Sequence, residues 1–282
     1  MIDRLAIVGL GLLGGSAAAG ARRRGLAREI VAVGRRAEAL AGALKDGVVD
    51  RATTDLAEGV READFILLAT PVATLEALLP EVWHAARAEA IVTDVGSTKR
   101  AIVATAEKLA RSRPLAFVGA HPMAGSEQSG YAAAQPGLFD GATVILTPTE
   151  RTDPAAIKRV SEFWEALGSR VVALDPDAHD RVVAAISHLP HLVAFALVET
   201  VARLDPSALG LSGQGFKDAT RIAGSDPRLW RDVFITNRRA LAESLAIFRA
   251  VLDDLERPVA AGDAAGLEAT LARVRAIRQS LK

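Results

Sequence analysis

The chain has 282 residues, no cysteine and 34 acidic against 34 basic side chains, so its formal net charge is zero. The absence of cysteine excludes disulfides, thiolate metal sites and a cysteine nucleophile. Neutrality argues against a dedicated binder of nucleic acid or of acidic membranes, because such a protein needs surplus positive charge. Half of the residues are hydrophobic, which is enough for a full core, and the length favours two domains.

The first residues run directly into a strand pattern, so no secretory leader is expected. The longest apolar stretches are interrupted by charge or glycine well short of the roughly 20 residues that a membrane-spanning helix needs. The spacing of histidines and carboxylates indicates no metal site. We therefore expect a cytoplasmic protein with a small-molecule substrate and no nucleic-acid or membrane partner.

Short apolar runs typical of buried strands lie at residues 5–8, 30–33, 65–69, 91–94, 116–119, 144–147 and 171–174. Helical patterns at residues 17–24, 37–45 and about 155–167 separate several of these runs. Apolar strands that alternate with helices predict a sheet covered on both faces.

The strand signal stops near Asp175, where Asp175-Pro176-Asp177 offers a turn and a helix start. Residues 178–203, 230–255 and 264–281 then show helical spacing. This change of pattern predicts an α/β domain over residues 1–174 and an all-α domain over residues 175–282.

A glycine motif, G-x-G-x-x-G at Gly9, Gly11 and Gly14, follows the first strand directly and opens a helix. The first glycine permits a tight turn, the second lets the backbone approach a pyrophosphate, and the third allows close packing of helix and sheet. Backbone N–H groups and the helix dipole then face the phosphates. The α/β domain is therefore predicted to be a Rossmann-type domain that binds a dinucleotide.

The end of the second strand carries no carboxylate, since it reads Val33-Gly34-Arg35-Arg36. Enzymes that use NAD usually place an acidic residue there to bind the ribose hydroxyls. Guanidinium groups instead pair with a 2′-phosphate. The alternative is that both arginines only begin a solvated helix. We predict NADP as the cofactor, with NAD as a possibility.

Ligands of open α/β sheets lie beyond the carboxyl ends of the strands. Residues 94–99 and 119–126 follow two strands and are therefore expected beside the cofactor. The residues predicted to contact the dinucleotide are Gly9, Gly11, Leu12, Leu13, Gly14, Gly34, Arg35, Arg36, Thr70, Pro71 and Asp94.

His121 is the best placed of the five histidines to accept a hydroxyl proton during hydride removal, because we expect it on a loop at a strand end. The alternative is a structural histidine that caps the loop. Ser97 either caps a helix that starts at Thr98 or binds a substrate hydroxyl. His84 and His179 lie among ordinary helical residues and are predicted at the surface.

Two further segments belong to the helical half. Ser187-His188-Leu189-Pro190-His191 is predicted to interrupt its first long helix. The stretch from Gly213 to Arg221 is rich in glycine and charge, and Arg221 is suited to bind a carboxylate with both arms of its guanidinium group. A surface salt bridge is the alternative for Arg221.

In their order and spacing these segments resemble the prephenate/arogenate (cyclohexadienyl) dehydrogenase family of tyrosine biosynthesis over nearly the whole chain. The resemblance rests on the Gly9 loop, residues 93–99, residues 121–125, residues 186–191, residues 215–223 and Asp226-Pro227.

The resemblance implies oxidation of a ring C4 hydroxyl by hydride transfer, with loss of the ring carboxylate as carbon dioxide. It implies that His121 draws off the hydroxyl proton while Ser97 orients the hydroxyl. It also places Arg221 on a substrate carboxylate, with His188 and Gly215 lining the pocket. In this family the helical domains dimerise and complete each other's sites, which places Asp218 and Trp230 at or near the interface of a homodimer.

Some features leave the reading open. Lys217 stands where relatives often carry arginine, and Glu127 either attracts a substrate ammonium group or pairs with a nearby cation. Prephenate and arogenate therefore both remain possible substrates. Two other readings are a β-hydroxyacid dehydrogenase, which resembles this architecture but uses a lysine in the second domain, and a non-catalytic dinucleotide sensor.

Overall fold

The computed structural model describes residues 1–125, 128 and 130–281, which contain one sheet of eight strands. The strands are β1 Ile2–Val8, β2 Ala27–Val33, β3 Arg51–Thr53, β4 Phe65–Leu68, β5 Ile91–Asp94, β6 Ala116–Pro122, β7 Thr143–Thr147 and β8 Arg170–Ala173. Their order across the sheet is β3-β2-β1-β4-β5-β6-β7-β8. The strands β1 to β6 pair in parallel, whereas β7 runs antiparallel to β6 and parallel to β8.

The helices fall into two groups along the chain. Those packed on the sheet are α1 Leu12–Arg24, α2 Ala37–Lys45, α3 Leu56–Val60, α4 Val72–Ala85, α5 Arg100–Ala110 and α6 Pro154–Ala166. Those after the sheet are α7 Pro176–Val183, α8 Leu189–Leu204, α9 Gln214–Thr220, α10 Pro227–Thr236, α11 Arg238–Ala261 and α12 Ala264–Ser280. A π-helical turn, Ala184–His188, joins α7 to α8 without a break.

The core lies on both faces of the sheet, because alternate residues of each buried strand point in opposite directions. In β1, Leu5 and Ile7 face the cluster that includes α1 and α6, whereas Ala6 and Val8 face the cluster that includes α4 and α5. This confirms the predicted Rossmann-type domain followed by an all-α domain.

The structure differs from the sequence expectation at several points, and it adds the strand β3 and the helices α3, α4 and α5. The strand β6 continues through His121 and Pro122, since these residues pair with Ile145 and Val144 of β7. His121 therefore lies in a strand and not in the loop that the sequence predicted. Residues 187–191, which the sequence predicted to interrupt the helix, do not end it. They form the end of the π-helical turn and the first turn of α8.

One helical run, Pro176–Leu204, is long and apolar enough to cross a membrane by length and composition alone. The sequence expectation that apolar stretches stay well short of that length is therefore wrong for this run. Only 22% of its apolar window is buried in the single chain.

Large apolar side chains are exposed on several helices of the C-terminal half. They are Val182, Ile186, Leu197, Leu204, Leu209, Leu211, Leu229, Ile235, Ile247, Val251, Leu252, Val259, Leu271, Val274, Ile277 and Leu281. A monomeric soluble protein seldom exposes so many large apolar side chains close together, and such surfaces commonly mark protein contacts.

Candidate active site

The glycine loop is shaped by close backbone approaches. Gly9 has a φ of +100°, and a Cβ atom at this position would lie 2.7 Å from the carbonyl oxygen of Ala69. A Cβ atom at Gly14 would lie 2.0 Å from the carbonyl oxygen of Gly9. Gly11, at the N-cap of α1, has no atom within 4 Å of its Cβ position. The space above Gly11 is therefore open to a ligand.

The start of α1 is suited to bind an anion. Its N-cap residue makes no side-chain hydrogen bond and its first turn, which includes Leu12 and Leu13, contains no acidic residue. Beside the loop, the Oγ1 atom of Thr70 is buried without a hydrogen-bond partner, and Pro71 caps α4. Free N–H groups, open space and an unpartnered hydroxyl fit the phosphates and sugar of a dinucleotide.

Gly34, Arg35 and Arg36 follow β2 at the same edge of the sheet. Arg35 and Arg36 are exposed, and neither forms an ion pair with a residue that the structure describes. Arg36 is also the N-cap residue of α2, and the first acidic side chain is Glu38 inside that helix. Their position is thus compatible with both predicted roles, which are pairing with a 2′-phosphate and the start of a solvated helix.

A buried ion pair lies beneath the ends of β5 and β6. The Nζ atom of Lys99 contacts a carboxylate oxygen of Asp94 and donates a hydrogen bond of 2.9 Å to the carbonyl oxygen of Ala120. The Asp94 carboxylate also accepts from the N–H groups of Gly96, at 2.8 Å, and Ala120, at 3.0 Å. Burial lowers the pKa of Lys99, and the charge of Asp94 opposes that shift. Asp94 is therefore fully buried, with both carboxylate oxygens occupied by groups of the chain, and its predicted contact with the cofactor stays a prediction.

His121 lies near the end of β6, next to Ala120, whose backbone contacts both members of this pair, and is only 9% exposed. Its Nδ1 atom lies 2.9 Å from the Nε2 atom of His179. Burial is the largest cause that lowers the pKa of His121 well below its usual value, and the charges of His179, Lys99 and His188 act in the same direction. His121 is therefore neutral at physiological pH, as a proton acceptor must be.

The prediction that His179 lies at the surface is wrong, because its side chain is fully buried. Its Nδ1 atom lies 2.8 Å from a carboxylate oxygen of Asp180. The same carboxylate accepts from the backbone N–H groups of Lys99, at 2.8 Å, and Arg100, at 3.1 Å. His179 thus belongs to a polar cluster that joins α7 to the start of α5.

Ser97 is not an N-cap residue, because α5 begins at Arg100 and Asp180 supplies the carboxylate at that end. Ser97 is half-buried just after β5. Its neighbour Thr98 is buried and donates a hydrogen bond of 3.1 Å to the hydroxyl oxygen of Thr236. Ser97 therefore remains available to a ligand hydroxyl, while Thr98 joins the two halves of the chain.

His188 is also buried, and it points toward the same region from the π-helical turn. The Nδ2 atom of Asn237 donates to the Nδ1 atom of His188, at 3.0 Å, and to the carbonyl oxygen of Asp180, at 2.8 Å. Burial lowers the pKa of His188 to about 4. Trp230 is buried against the histidines, with its ring stacked on that of His191 at a centroid distance of 3.4 Å.

The other predicted site residues lie on α9 and the turn that follows it. Gly215, Asp218 and Arg221 are all exposed. The carboxylate of Asp218 accepts a hydrogen bond of 2.7 Å from Gln214. Glu127 lies outside the described residues. Within the described part of the chain, no group of three or more histidine or acidic side chains is arranged to hold a metal ion.

The sequence reading missed several members of the buried cluster, namely Lys99, His179, Asp180 and Asn237. A signal for two of them was present in the chain. Pro176, His179, Asp180 and Val183 follow the i, i+3, i+4, i+7 spacing of a buried helix face, and all four are buried. Two polar residues on such a face indicate an internal hydrogen-bond network.

Comparisons with known proteins agree with this fold. Two family models match the chain, described as the nucleotide-binding domain of prephenate dehydrogenase, over residues 17–173, and its dimerization domain, over residues 175–273. The prephenate dehydrogenase of Bacillus subtilis (strain 168) is 36% identical over 271 residues, which are 95% of this chain and 73% of that protein.

Two solved structures resemble the whole chain. One is prephenate dehydrogenase of Aquifex aeolicus in complex with hydroxyphenyl propionate and NAD+, with a TM-score of 0.93, 35% identity and coverage of 100% of this chain and 99% of that one. The other is arogenate dehydrogenase of Synechocystis, with a TM-score of 0.82, 35% identity and coverage of 99% and 100%.

The sheet, the glycine loop and the match to a nucleotide-binding domain define a nucleotide-binding oxidoreductase, with a helical domain after the sheet. More particularly, the chain belongs to the prephenate dehydrogenase family. Of the two enzyme families that the sequence left open, the comparisons therefore favour this one over the β-hydroxyacid dehydrogenases.

Proposed function

We propose that the chain oxidises prephenate, arogenate or both, with loss of the ring carboxylate as carbon dioxide, to give 4-hydroxyphenylpyruvate or tyrosine. The observation that carries this proposal is the neutral, buried His121 near the end of β6, next to Ala120, whose backbone contacts both Asp94 and Lys99, in the same parallel sheet as the strand that leads into the glycine loop. A non-catalytic sensor would need the loop but has no need of this histidine.

In the proposed reaction, His121 accepts the proton of the C4 hydroxyl while the hydride leaves C4. Ser97 donates or accepts a hydrogen bond at that hydroxyl and so orients it. His188 lines the pocket, and Arg221 and Gly215 approach the substrate carboxylate from α9 and the turn after it. As carbon dioxide leaves, the electron pair of its bond to the ring makes the ring aromatic, and the C4 oxygen takes a proton back from His121 to give the phenol. Aromatisation makes the whole reaction strongly favourable. We assign Glu127 to the side-chain end of the substrate.

We propose that the hydride acceptor is a nicotinamide dinucleotide, preferably NADP. Gly9, Gly11, Leu12, Leu13 and Gly14 would hold its pyrophosphate at the start of α1. Thr70 and Pro71 would lie along it. Gly34, Arg35 and Arg36 would hold the ribose and its 2′-phosphate, because no carboxylate is present there to repel that phosphate.

We further propose that residues 1–174 and 175–282 form the two domains and that the chain is a cytoplasmic homodimer. The exposed apolar side chains of α8, α11 and α12 support a dimer, because burial of such a surface is favourable. Burial in the dimer interface would also explain why the run Pro176–Leu204 is apolar, so no membrane is needed to explain it. Asp218 and Trp230 would then lie at or near the interface, where Asp218 would approach the partner's site and the ring of Trp230 stacks on that of His191.

The test is turnover of the purified protein with prephenate or arogenate, each with NADP and with NAD, followed as the absorbance of the reduced cofactor. We expect turnover with one or both substrates and a higher kcat/KM with NADP. Absence of turnover in all four combinations would overturn the proposed function. Equal or better kcat/KM with NAD would overturn only the cofactor preference.

A matched pair of variants isolates the role of the arginines. The double change Arg35→Ala with Arg36→Ala should raise KM for NADP about tenfold or more, as expected for loss of ionic contacts to a phosphate, and leave KM for NAD nearly unchanged. Arg28→Ala is the control, because Arg28 is exposed at the start of β2, away from the loop.

A further inference from the structure

We propose that His179 and Asp180 are positioning residues that hold His121 in the tautomer with its proton on Nδ1, so that Nε2 is the bare, proton-accepting nitrogen. The proposal rests on the base role of His121 in the proposed function. It assigns to the helical half of the chain the task of preparing a base that the sheet carries.

The chain of hydrogen bonds begins at Asp180, whose carboxylate accepts from the backbone N–H groups of Lys99 and Arg100 as well as facing His179. Burial opposes ionisation of Asp180, but these bonds outweigh it and lower its pKa. An ionised carboxylate only accepts hydrogen bonds. The Nδ1 atom of His179, 2.8 Å away, must therefore carry a proton and donate it.

His179 itself is fully buried, and this burial lowers its pKa even against the opposing effect of Asp180. A neutral imidazole carries one proton, and that proton is on Nδ1. The Nε2 atom of His179 is consequently an acceptor. The 2.9 Å contact with His121 then requires that the Nδ1 atom of His121 be the donor.

The remaining nitrogen of neutral His121 is Nε2, which has an unshared electron pair. A hydroxyl proton moves to this nitrogen as the substrate O–H bond breaks, and the resulting imidazolium keeps its Nδ1 hydrogen bond to His179. The negative charge of Asp180, which accepts from the opposite nitrogen of His179, favours the charged form. Without His179, His121 would be free to place its proton on Nε2, where it blocks the reaction.

Other charged and titratable groups also face His121, and none of them supplies this constraint. Lys99, at the start of α5, and its partner Asp94, at the end of β5, both contact the neighbouring Ala120, and His188 acts on His121 from the π-helical turn. Lys99 donates to Asp94 and to the carbonyl oxygen of Ala120. The Nδ1 atom of His188 is occupied by Asn237.

The first measurement is the nitrogen chemical shifts of the histidine side chains in uniformly folded protein labelled with nitrogen-15 at histidine, assigned with single histidine variants. At neutral pH we expect His121 to show a protonated Nδ1 and an unprotonated Nε2. A neutral His121 with its proton on Nε2 would overturn the proposal. This readout needs neither substrate nor turnover, so it stands apart from failure of the proposed function.

The second measurement compares His179→Leu with His179→Gln. Leucine removes both hydrogen bonds at similar volume, and we expect kcat to fall about 10²-fold or more, within the range that a general base contributes, with KM little changed. Glutamine has an amide oxygen that accepts from His121 and an amide nitrogen that donates to Asp180, so it should restore most of the lost kcat and the Nδ1-protonated tautomer.

The exposed His84 provides the control, since His84→Leu should change neither kcat nor the tautomer of His121. If His179→Leu keeps the wild-type kcat, or if His179→Gln is as slow as His179→Leu although both unfold at the wild-type temperature, the positioning role is wrong. If His179→Leu does not fold, the tautomer of His121 in the wild type and the kcat of His179→Gln decide whether the positioning role is correct.

Discussion

At the scale of single residues, the properties of His121 come from its surroundings more than from its own chemistry. A free imidazole is half-protonated near neutral pH, whereas burial and neighbouring charges keep this one neutral. The closeness of Lys99 adds to that effect, because an adjacent cation disfavours a second positive charge. Burial, assisted by the positive charge of Lys99, therefore keeps the proposed base neutral.

Replacement of His121 gives the first residue-scale prediction. His121→Asn should lower kcat by about 10² to 10⁴, the usual contribution of a general base, with a much smaller effect on KM. Because the pKa of His121 lies well below its usual value, wild-type kcat/KM should hold as the pH falls through 6.5 and decline only at lower pH. Steady-state kinetics across pH check both points. A near-normal kcat in the variant would exclude the base role.

The glycine loop gives the second residue-scale prediction. Gly14→Ala should destabilise the fold, because its Cβ atom would lie 2.0 Å from the carbonyl oxygen of Gly9. Gly11→Ala should leave the unfolding temperature unchanged, because nothing lies within 4 Å of its Cβ position. It should nevertheless raise the dissociation constant of the dinucleotide about tenfold or more, since the methyl group occupies the approach of the pyrophosphate.

Thermal unfolding and calorimetric titration separate these two effects. Gly25→Ala is unsuitable as a control, because its positive φ makes any side chain strained. Exposed Gly215 has an open Cβ position and no positive φ, so Gly215→Ala is the control for the dinucleotide titration. Unchanged dinucleotide affinity in Gly11→Ala would show that the ligand does not pass over this residue.

At the scale of elements, α7 carries His179 and Asp180 and begins at a defined cap. The carboxylate of Asp175 accepts from the backbone N–H groups of Asp177 and Ala178, and Pro176 occupies the first turn. Asp175→Ala should lower the free energy of unfolding by about 1 kcal/mol, the usual cost of a lost N-cap. Asp177→Ala is the matched control, because its ion pair with Arg100 is exposed and 3.6 Å long.

Urea denaturation of the two variants measures this difference. Equal stabilities of Asp175→Ala and Asp177→Ala would mean that tertiary packing alone fixes the start of α7.

Local signals predicted the elements that local chemistry determines. The strands of the N-terminal half other than β3 were predicted, since buried strands read as apolar runs, whereas β3 is the short, partly exposed segment Arg51–Thr53. The glycine loop was predicted because it needs glycine at fixed places. The C-terminal end of β6 was not predicted. His121 and Pro122 belong to a strand only because they pair with β7, which follows about twenty residues later in the chain. Distant pairing leaves no local pattern.

The site was predicted in the same uneven way. His121, Ser97 and His188 stood out because polar side chains at strand ends or helix interruptions have few structural uses. His179 did not, since its burial depends on the packing of α7 against α5 and β6. Asn237 was missed for a related reason, because its contacts with Asp180 and His188 join positions 57 and 49 residues apart.

At the scale of the whole molecule, the apolar surface of the helical half determines the last prediction. Ile247 and Val251 lie one turn apart on α11, and both are exposed. The double change Ile247→Glu with Val251→Glu should convert the proposed dimer into a monomer of 29.6 kDa, because two carboxylates cannot be buried unpaired in an interface. Turnover should fall with the loss of the dimer, since Asp218 is proposed to approach the partner's site.

Light scattering with size-exclusion chromatography gives the mass. The control is Leu44→Glu, because Leu44 is a similarly exposed apolar residue on α2, in the other half of the chain. A double variant that keeps the mass of the wild type would place the interface elsewhere.

The capping of α5 by Asp180 has a consequence for the order in which the protein is made. The last strand is complete at Ala173. The hydrogen bond at the start of α5 cannot form until Asp180 has been synthesised, and the one at His188 cannot form until Asn237 has been synthesised. A ribosome adds about 5 to 20 residues per second, so the polar cluster closes several seconds after the sheet has been synthesised. The nascent chain therefore presents its dinucleotide loop before His121 has the neighbours that prepare it.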